Sequence, residues 1–217
     1  MLSAGSPWTA VVRRVSASVI LGYVYAEWQS FAAHCTAQGI SLQDWKETDL
    51  TNALQARLSS AALTGKQPFD GDFIAELERY EIDPKTCKPI CVSRTDLEWL
   101  LAGFPRFTIE FKLLDGTPQL RTRYWRDGLS RFVAGTYAPQ ASEAAMWAFL
   151  RLPGQADGIK VRKLLAKRAV QLVCVNPTAP YLQPSSMANG LALFDTAHLR
   201  LVGPSPVMLA HIFTPLP

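Results

Sequence analysis

The stretch FTIEFKLLDG, residues 107 to 116, has the pattern of a strand that enters the protein core and ends at an Asp-Gly turn. Successive side chains of a strand point to opposite faces, so Glu110 and Lys112 share one face while the apolar side chains between them share the other. Two charged groups in so apolar a strand need partners. A surface ion pair on an exposed sheet face would give the same pattern, and such a pair contributes little to stability.

A first partner is found on the preceding segment, ICVSRTDLEWLLAG, residues 90 to 103. This segment and the strand after Gly103 predict a β-hairpin. Asp96 stands fourteen positions before Glu110 and belongs to the first strand of that hairpin. Glu98 lies on the same strand face as Asp96, so either carboxylate is a candidate to meet Glu110.

A second partner is predicted on a helix over residues 43 to 63, for which Ser41 and Asp44 offer N-terminal caps. Its apolar stripe consists of Leu50, Leu54, Leu58 and Ala61. Glu47 stands three residues before Leu50 and therefore projects from the core-facing side, where a carboxylate is costly without a positive partner. Asp49 competes with Glu47 for this position. We expect three carboxylates and one amine to converge at one end of a sheet.

Such a cluster suits a hard divalent cation, because Mg²⁺ prefers oxygen ligands and keeps several waters. A bound cation polarises a phosphate oxygen and lowers the pKa of water. An adjacent lysine can orient or deprotonate the attacking water, or stabilise the phosphorus centre. Hydrolysis of phosphodiesters is the chemistry that these groups support.

The ensemble resembles the PD-(D/E)xK nuclease superfamily, in which a helix glutamate, a hairpin aspartate and a (D/E)-x-K strand form the site. The resemblance is carried by Glu47 in KETDLTNAL, Asp96 in SRTDLEWL, and Glu110 with Lys112 in FTIEFKLL. It covers roughly residues 43 to 150. One position departs from the pattern, because Thr95 stands where a proline often precedes the aspartate.

A further likeness is the segment RYWRDGLSRFVAGTYAP, residues 123 to 139. It is similar to a Gly-Leu/Ile-x-Arg-Phe helix followed by a Tyr-Ala turn in uncharacterised restriction-endonuclease-like bacterial proteins. In the superfamily this helix commonly lends a basic or amide side chain to the site. Arg126 and Arg131 are the candidates here, with Arg123 further out.

The resemblance implies an α/β fold with a restriction-endonuclease-like core, a mixed β-sheet flanked by α-helices. It implies Mg²⁺, with Mn²⁺ as a possible substitute, held by Asp96, Glu110, the Phe111 carbonyl and Glu47, while Lys112 acts on the water. The expected substrate is DNA. A catalytically inactive relative that binds DNA or a protein partner is the alternative, and a homodimer or membership of a larger assembly stays open.

The remaining chain adds elements whose alternation predicts one α/β domain. We expect a single domain over 1–217, with an N-terminal helix in 1–40, the core motifs in 43–150, and a C-terminal helix and strands in 151–217. The predicted elements are a helix over 8–37, a strand over 72–82, a helix over 121–134 with Trp125, Leu129, Phe132 and Val133 inward, a strand or second helix over 142–152, a helix over 158–167, and strands over 169–176 and 207–213.

The C-terminal part also contains the basic stretch KVRKLLAKR, residues 160 to 168. A basic helix is usually a solvated face, but Lys160 and Lys163 would equally serve as contacts to a phosphate backbone without reading its sequence. The chain as a whole has 22 basic and 18 acidic residues, a net charge of +4 that permits a phosphate-bearing partner.

Other features of the sequence exclude several classes of protein and of site. The apolar run over 19–26 is broken by Glu27, well short of the ~20 residues that cross a bilayer, and no small-residue cleavage site follows, so we expect a cytoplasmic protein. No nucleotide-binding glycine motif occurs. The three histidines, His34, His198 and His211, have no ligand-like spacing and are expected to be structural or exposed. The four cysteines, Cys35, Cys87, Cys91 and Cys174, are expected to be reduced structural thiols.

Overall fold

The computed structural model describes residues 15–82, 89–102, 106–152, 156–200, 202 and 206–217. In chain order the elements are α1 (Ala17–Ala37), α2 (Glu47–Leu63), β1 (Asp72–Ile82), β2 (Pro89–Leu100), β3 (Phe107–Leu114), α3 (Pro118–Arg123), a π-helical segment (Tyr124–Leu129), α4 (Ser130–Val133), β4 (Glu143–Leu150), α5 (Ala156–Lys167), β5 (Phe194–His198) and β6 (Val207–Pro215). We call residues 118–133, which link β3 to β4, the crossover helix.

The six strands form one mixed sheet in the order β1-β2-β3-β4-β6-β5. The neighbours β3, β4 and β6 run parallel, whereas β1, β2 and β5 are each antiparallel to their neighbours. A parallel pair needs a long connection, and the crossover helix provides it between β3 and β4. The prediction of an α/β fold with a mixed sheet flanked by helices is confirmed.

Each face of the sheet is covered by its own helices and has its own apolar core. Helices α1 and α2 cover one face, where Trp28 and Leu54 pack in the same core as Phe111, Trp147 and Phe149 of the sheet. The crossover helix and α5 cover the other face, with a core that includes Tyr124, Phe132, Met146, Val161 and Phe194. Because both faces are covered, β4 has only buried residues after Glu143, as a central strand requires.

The alternation in β3 is confirmed, but its polar face is not exposed. Ile109, Phe111 and Leu113 belong to the core beneath α1 and α2, while Glu110 and Lys112 point to the face of the crossover helix. Glu110 is only 1% exposed. An exposed sheet face with a surface ion pair is therefore the wrong explanation for these two charges.

Helix α2 begins later than predicted, at Glu47, and Ser41 and Asp44 do not cap it. Lys46 is the N-cap residue, and the Asp49 carboxylate accepts a hydrogen bond from the Lys46 backbone N–H at 3.2 Å. Capping by a carboxylate three residues into the helix decides where the helix starts. The predicted helix over 8–37 is found as α1, and residues 8–14 lie outside the described part.

Two predictions in the second half of the chain are corrected. The segment 142–152, left open between strand and helix, is strand β4. The strand predicted over 169–176 is wrong, because turn hydrogen bonds such as Leu172 N–H to Arg168 O and Cys174 N–H to Ala169 O use the donors that a strand would need. Only an isolated bridge from Cys174 to His198 remains, and the edge strand is β5, which the sequence did not predict.

The other predicted elements are confirmed, with small shifts at their ends: β1, the hairpin of β2 and β3, α5 and β6. The helix predicted over 121–134 begins at Pro118 and contains the π-helical segment. Leu129, Phe132 and Val133 are buried as predicted, whereas Trp125 is half-buried and lies under the guanidinium of Arg168.

Two further predictions concern the membrane and the cysteines. No helix among the described residues combines the length and apolarity that a bilayer crossing demands. Cys35 and Cys174 are buried free thiols, as expected, while the side chains of Cys87 and Cys91 lie outside the described part. His34 is exposed and the other two histidines are buried.

His198 and His211 belong to a buried chain of hydrogen bonds whose direction follows from the neutral state of both imidazoles, which burial favours. The Leu172 carbonyl can only accept, so Nδ1 of His198 carries the proton at 2.8 Å, and its Nε2 accepts from Thr196 Oγ1 at 2.7 Å. Thr196 Oγ1 in turn accepts from Nε2 of His211 at 2.8 Å, and Nδ1 of His211 accepts from the Tyr124 hydroxyl at 2.7 Å. This chain ties the π-helical segment to β5 and β6, and an added proton on either imidazole would reverse or break part of it.

Acid should therefore destabilise the fold through these histidines. Burial lowers the pKa of His198 to about 4 and that of His211 further below its ordinary value. A depressed histidine pKa leaves the native state neutral while the unfolded chain binds a proton, so stability is lost as the pH falls below about 6.5. For His198 alone we expect a loss of about 2–3 kcal/mol between pH 7 and pH 4.5.

Urea unfolding of the wild type and of His198→Gln at both pH values measures this loss. The variant should start less stable at pH 7 and lose less stability on acidification than the wild type. His34→Gln, which removes an exposed histidine, should follow the wild type. Equal losses in the wild type and His198→Gln would contradict the assignment.

Candidate metal centre

The candidate site lies where β3 loses its antiparallel neighbour. The strands β2 and β3 pair over three residues each and no further along β3 than Ile109. Beyond that point two backbone N–H groups of β3 bind carboxylates instead of a strand. Phe111 N–H donates to Asp96 Oδ2 at 2.7 Å, and Leu113 N–H donates to Glu47 Oε2 at 2.8 Å. The open edge thus holds one carboxylate from β2 and one from the first residue of α2.

The Lys112 ammonium occupies the space between these groups. Its Nζ lies 2.6 Å from the Phe111 carbonyl oxygen, 2.7 Å from Glu110 Oε1, 3.2 Å from Glu47 Oε1 and 3.9 Å from Asp96 Oδ2. The lysine side chain is only 12% exposed. The structure therefore brings together all four side chains singled out in the sequence, with the Phe111 carbonyl, around a single cationic group.

Burial and mutual repulsion govern the protonation of the carboxylates. Burial, followed by the negative charge of Asp96, raises the pKa of Glu110 to about 8, against the opposing charge of Lys112. Burial likewise raises the pKa of Asp96, although 28% of its side chain stays exposed. Burial alone would lower the pKa of Lys112, but the surrounding carboxylates outweigh it and hold that pKa above its usual value. The lysine is thus charged, whereas a pKa of about 8 leaves Glu110 largely protonated at neutral pH.

The donor atoms fit a hard divalent cation. They are three carboxylates and one carbonyl, the oxygen ligands that Mg²⁺ prefers. Among the described residues Glu110 Oε2 is buried without a hydrogen-bond partner, which is costly for a carboxyl oxygen. A divalent cation would satisfy this oxygen and favour the ionised form of Glu110.

Such a cation would have to displace the lysine ammonium. As the side chains stand, no three acidic, histidine or cysteine residues of the described ranges are arranged to ligate a metal ion. The carboxylates face Lys112 Nζ, which is held at their centre. A lysine head group sits on a flexible four-carbon stem, so Lys112 can withdraw while the strand stays in place.

The structure separates the alternative ligands left open by the sequence. Asp49 is exposed and caps α2, so Glu47 is the helix residue that reaches the cluster. Glu98 is fully buried and interacts with Arg106 Nη1 at 3.3 Å and with Thr108 Oγ1 at 3.4 Å. Asp96, by contrast, contacts the β3 backbone at the open edge, beside Lys112.

The crossover helix lies directly over the lysine. A Cβ atom added at Gly128 would come within 2.6 Å of Met146 Cε and 3.4 Å of Lys112 Cε. The bare backbone of this glycine therefore allows the helix to approach the lysine stem. Gly128 belongs to the segment that resembles the restriction-endonuclease-like helix, but its contact with Lys112 was not predicted.

The predicted phosphate-binding residues lie on the same side of the sheet, in different settings. Arg126 is exposed and paired with Asp127, with Nε 2.7 Å from Oδ1. Arg131 stacks on the ring of Tyr137, a residue that the sequence analysis did not single out. Lys160 and Lys163 are exposed on α5. Arg123 is exposed as well.

Comparison of the chain with family models, with curated proteins and with solved structures found no match. The functional assignment therefore depends on the geometry of the described residues and on the short motifs that carry the resemblance.

Replacing the lysine should expose the repulsion between the carboxylates. In the presence of a chelator, Lys112→Met should lose about 3–5 kcal/mol of stability, because it leaves buried negative charges without their cation. Millimolar Mn²⁺ should stabilise this variant more than the wild type, since the metal no longer competes with the ammonium. Thermal unfolding with and without Mn²⁺ measures both effects.

Arg57→Met is the matched control, because Arg57 is paired with Glu27 at a partly exposed site. It should lose less than about 1 kcal/mol and gain nothing from Mn²⁺ beyond the wild-type response. If Lys112→Met responded to Mn²⁺ no more than the wild type does, the idea that ammonium and metal share one position would be wrong.

Proposed function

We propose that this chain is a metal-dependent nuclease that hydrolyses phosphodiester bonds in DNA. The observation that carries the proposal is the position of Lys112 Nζ among four oxygens from α2, β2 and β3. A buried ion cluster contributes little to the stability of a fold, since apolar residues of similar volume often stabilise it equally well or better. Cation binding would explain why the chain has this arrangement.

In the proposed site, Asp96, Glu110 and the Phe111 carbonyl hold Mg²⁺, or Mn²⁺ in its place, and Glu47 completes or supports the ligand set. When bound, the cation polarises a phosphate oxygen and lowers the pKa of water. Glu47 and Asp96 are each fixed by a backbone N–H group of β3, so their orientation is set before any ligand arrives.

Lys112 acts in this proposal as a charged donor. Its pKa lies above the usual value because of the carboxylates, so the protonated form dominates at neutral pH. Once withdrawn from the cluster, the ammonium can hold the attacking water by a hydrogen bond and compensate negative charge that develops on the phosphate.

The substrate class is supported by the distribution of charge. The crossover helix and residues 156–168 together contain nine basic and two acidic residues, a net +7, while the whole chain has +4, so the remainder has −3. The basic residues are Arg121, Arg123, Arg126, Arg131, Lys160, Arg162, Lys163, Lys167 and Arg168. Among the described residues only Arg121 and Arg126 of this set form ion pairs. Among the described residues, seven cations on the face that covers Lys112 thus form no ion pair, and such cations suit a phosphate backbone.

The fold supports the same assignment at a coarser level. The β2–β3 hairpin, the parallel strand β4 and a helix that presents Glu47 to the strand edge agree with a restriction-endonuclease-like core, which we propose on the motifs and the topology together. Fold alone does not assign function, so the site residues carry the argument.

A catalytically inactive subunit that binds DNA or a protein partner is the second candidate. One observation favours it: Lys112 already fills the position at which a metal would bind, so the cluster is held together without one. The two candidates differ in a direct measurement of cleavage.

Cleavage of plasmid DNA in Mg²⁺ or Mn²⁺ tests the proposal. The wild type should nick or cut the plasmid, and Asp96→Asn, Glu110→Gln and Lys112→Ala should each reduce the rate at least about 100-fold, because each removes a ligand or a charged donor from the reacting centre. Glu47→Gln should reduce it as well. Asp49→Asn is the matched control, and it should keep the rate within about twofold while losing less than about 1 kcal/mol of stability, because the amide oxygen can still accept from the Lys46 N–H and only the charge near the helix N-terminus is removed.

A wild type that is inert on DNA with both metals, and stays folded, would leave the inactive subunit as the function. Full activity of Asp96→Asn or Lys112→Ala would instead mean that cleavage arises elsewhere in the molecule.

Binding at α5 should depend on salt. If Lys160 and Lys163 contact phosphates, their joint replacement by alanine should make the plot of log affinity against log salt shallower by about two, since each phosphate contact releases about one counterion. Fluorescence anisotropy with a labelled duplex between 50 and 200 mM salt, as an approximate working range, measures this slope.

Lys66→Ala, at an exposed position after α2 on the opposite side of the sheet, should leave the slope unchanged. An unchanged slope in the Lys160 and Lys163 double variant would remove α5 from the DNA-binding surface.

A further inference from the structure

Tyr137 stands in the turn that follows the crossover helix, and its ring is fixed on several sides. The residue is 1% exposed, and its ring packs edge-on against Phe132 with 5.5 Å between centroids. Its backbone N–H donates to the Arg131 carbonyl at 3.1 Å. The tyrosine hydroxyl is thus presented at a defined point beside the end of the helix.

Arg131 uses this tyrosine as its only polar side-chain partner among the described residues. Its Cζ lies 5.1 Å from the centre of the Tyr137 ring, and its Nη1 donates a hydrogen bond to the Tyr137 hydroxyl oxygen. The described residues offer Arg131 no ion pair, whereas Arg126, one turn earlier, is neutralised by Asp127. A neutral phenol orients the guanidinium without cancelling its charge.

Both side chains lie within the electrostatic field of the metal centre. Burial, and then the charge of Glu110, raise the pKa of Tyr137 to about 12, and Asp96 contributes in the same direction. Burial disfavours the charged form of Arg131, but its bond to Tyr137 and the charge of Glu110 outweigh this and raise the pKa. Gly128 lies against the lysine stem and Arg131 follows it by three residues, about one helical turn, so the crossover helix carries the guanidinium on the side of the carboxylate cluster.

We infer that Tyr137 is a positioning residue that holds the Arg131 guanidinium, with its charge uncompensated, to bind a non-bridging oxygen of the phosphate being cleaved. The inference rests on the proposed function and adds a residue to it. Arginine presents a planar set of donors that suits phosphate, and holding it in place reduces the entropy lost on binding. Tyr137 acts only through Arg131, and this dependence makes the inference testable.

The test is a double-mutant cycle on the full chain with Tyr137→Phe, Arg131→Ala and the combined variant. Tyr137→Phe keeps the ring under the guanidinium and the contact with Phe132, and it removes only the hydroxyl. The readouts are kcat and KM for plasmid cleavage in Mg²⁺, and the Kd for a 20-base-pair duplex, a length of about two helical turns, in Ca²⁺, an oxygen-ligated cation used in place of Mg²⁺.

We expect Arg131→Ala to raise Kd roughly 10- to 100-fold and to make its salt dependence shallower by about one phosphate contact. Tyr137→Phe should raise Kd about 3- to 10-fold. In the Arg131→Ala background, Tyr137→Phe should change neither Kd nor KM further, because the residue through which it acts is absent. Arg131→Lys should restore part of the affinity, and Tyr137→Phe should affect it less than it affects the wild type.

Two control variants match these changes on the opposite face of the sheet. Tyr23→Phe removes a buried hydroxyl without a hydrogen-bond partner in the described part of the chain, and Arg57→Ala removes an arginine paired with Glu27. Neither should change Kd, KM or the salt slope. Thermal unfolding of every variant identifies losses of affinity that come from unfolding.

The outcomes separate this inference from the proposed function. If the wild type binds the duplex without cutting plasmid, and the cycle shows the expected coupling, the nuclease proposal fails while the pair of Arg131 and Tyr137 stands as a phosphate-binding site. If the wild type cuts but Tyr137→Phe has the same effect with and without Arg131, or no effect at all, the inference about Tyr137 is overturned. Absence of any DNA binding overturns both.

Discussion

The contact on which the site depends is that of one lysine ammonium with four oxygens. Lys112 lies within 3.2 Å of Glu47, Glu110 and the Phe111 carbonyl, and Asp96 stands at 3.9 Å. Three carboxylates so close together cannot all ionise without a cation, because each raises the free energy of ionising the others. The strand β3 itself supplies that cation, because Lys112 follows Glu110 by two positions. The neighbouring α2 and β2 place Glu47 and Asp96 beside it.

That arrangement follows from an interruption in the sheet. Where β2 stops pairing with β3, the backbone N–H groups of Phe111 and Leu113 would be left without partners, at a cost comparable to lost hydrogen bonds. The carboxylates of Asp96 and Glu47 satisfy them. The bonds that satisfy the strand edge therefore also fix two of the acids. Glu47 accepts with Oε2 and turns Oε1 toward Lys112, whereas Oδ2 of Asp96 both accepts from Phe111 N–H and lies 3.9 Å from Lys112 Nζ. The same contacts therefore stabilise the strand and set the geometry of the site.

The two faces of the sheet differ in composition and in the roles that we propose for them. The face of α1 and α2 is an apolar scaffold, which includes the aromatic contact of Phe111 with Phe149 at 5.4 Å between centroids. The opposite face is covered by the crossover helix, whose glycine at 128 lies against the lysine stem and whose Arg131 interacts electrostatically with Glu110. Among the described residues, seven basic side chains on this second face form no ion pair. A polyanion that approaches the lysine would meet them first.

Much of this architecture could be predicted from local patterns in the sequence. The alternation in FTIEFKLL placed Glu110 and Lys112 on one face, and the hairpin spacing brought Asp96 opposite them, because the period of a strand fixes which side chains meet. The choice between Glu47 and Asp49 needed the structure, since only the actual start of α2 shows that Asp49 is used as a cap. No sequence pattern indicated that Glu98 would be buried beside Arg106.

Other features depended on contacts between distant segments. The apolar run over 169–176 had strand propensity, but turn bonds at the end of α5 and the positive φ of Val173 prevent an extended strand there. The short β5 contains Asp195 and His198, which are buried with hydrogen-bond partners outside the strand, Ser185 and the Leu172 carbonyl, so its pattern did not indicate a strand. Tyr137 appeared only as part of a Tyr-Ala turn, and its contact with Arg131 could not be predicted without the turn geometry.

The most direct test of the central claim is a crystal structure of the wild-type protein soaked in Mn²⁺, with anomalous diffraction used to locate the metal. The account predicts one anomalous peak at coordination distance from Asp96, Glu110 and the Phe111 carbonyl, with the Lys112 ammonium moved out of the cluster. A structure at saturating Mn²⁺ in which Lys112 Nζ keeps its contacts with Glu110 and Glu47, and in which no peak lies among these oxygens, would contradict it.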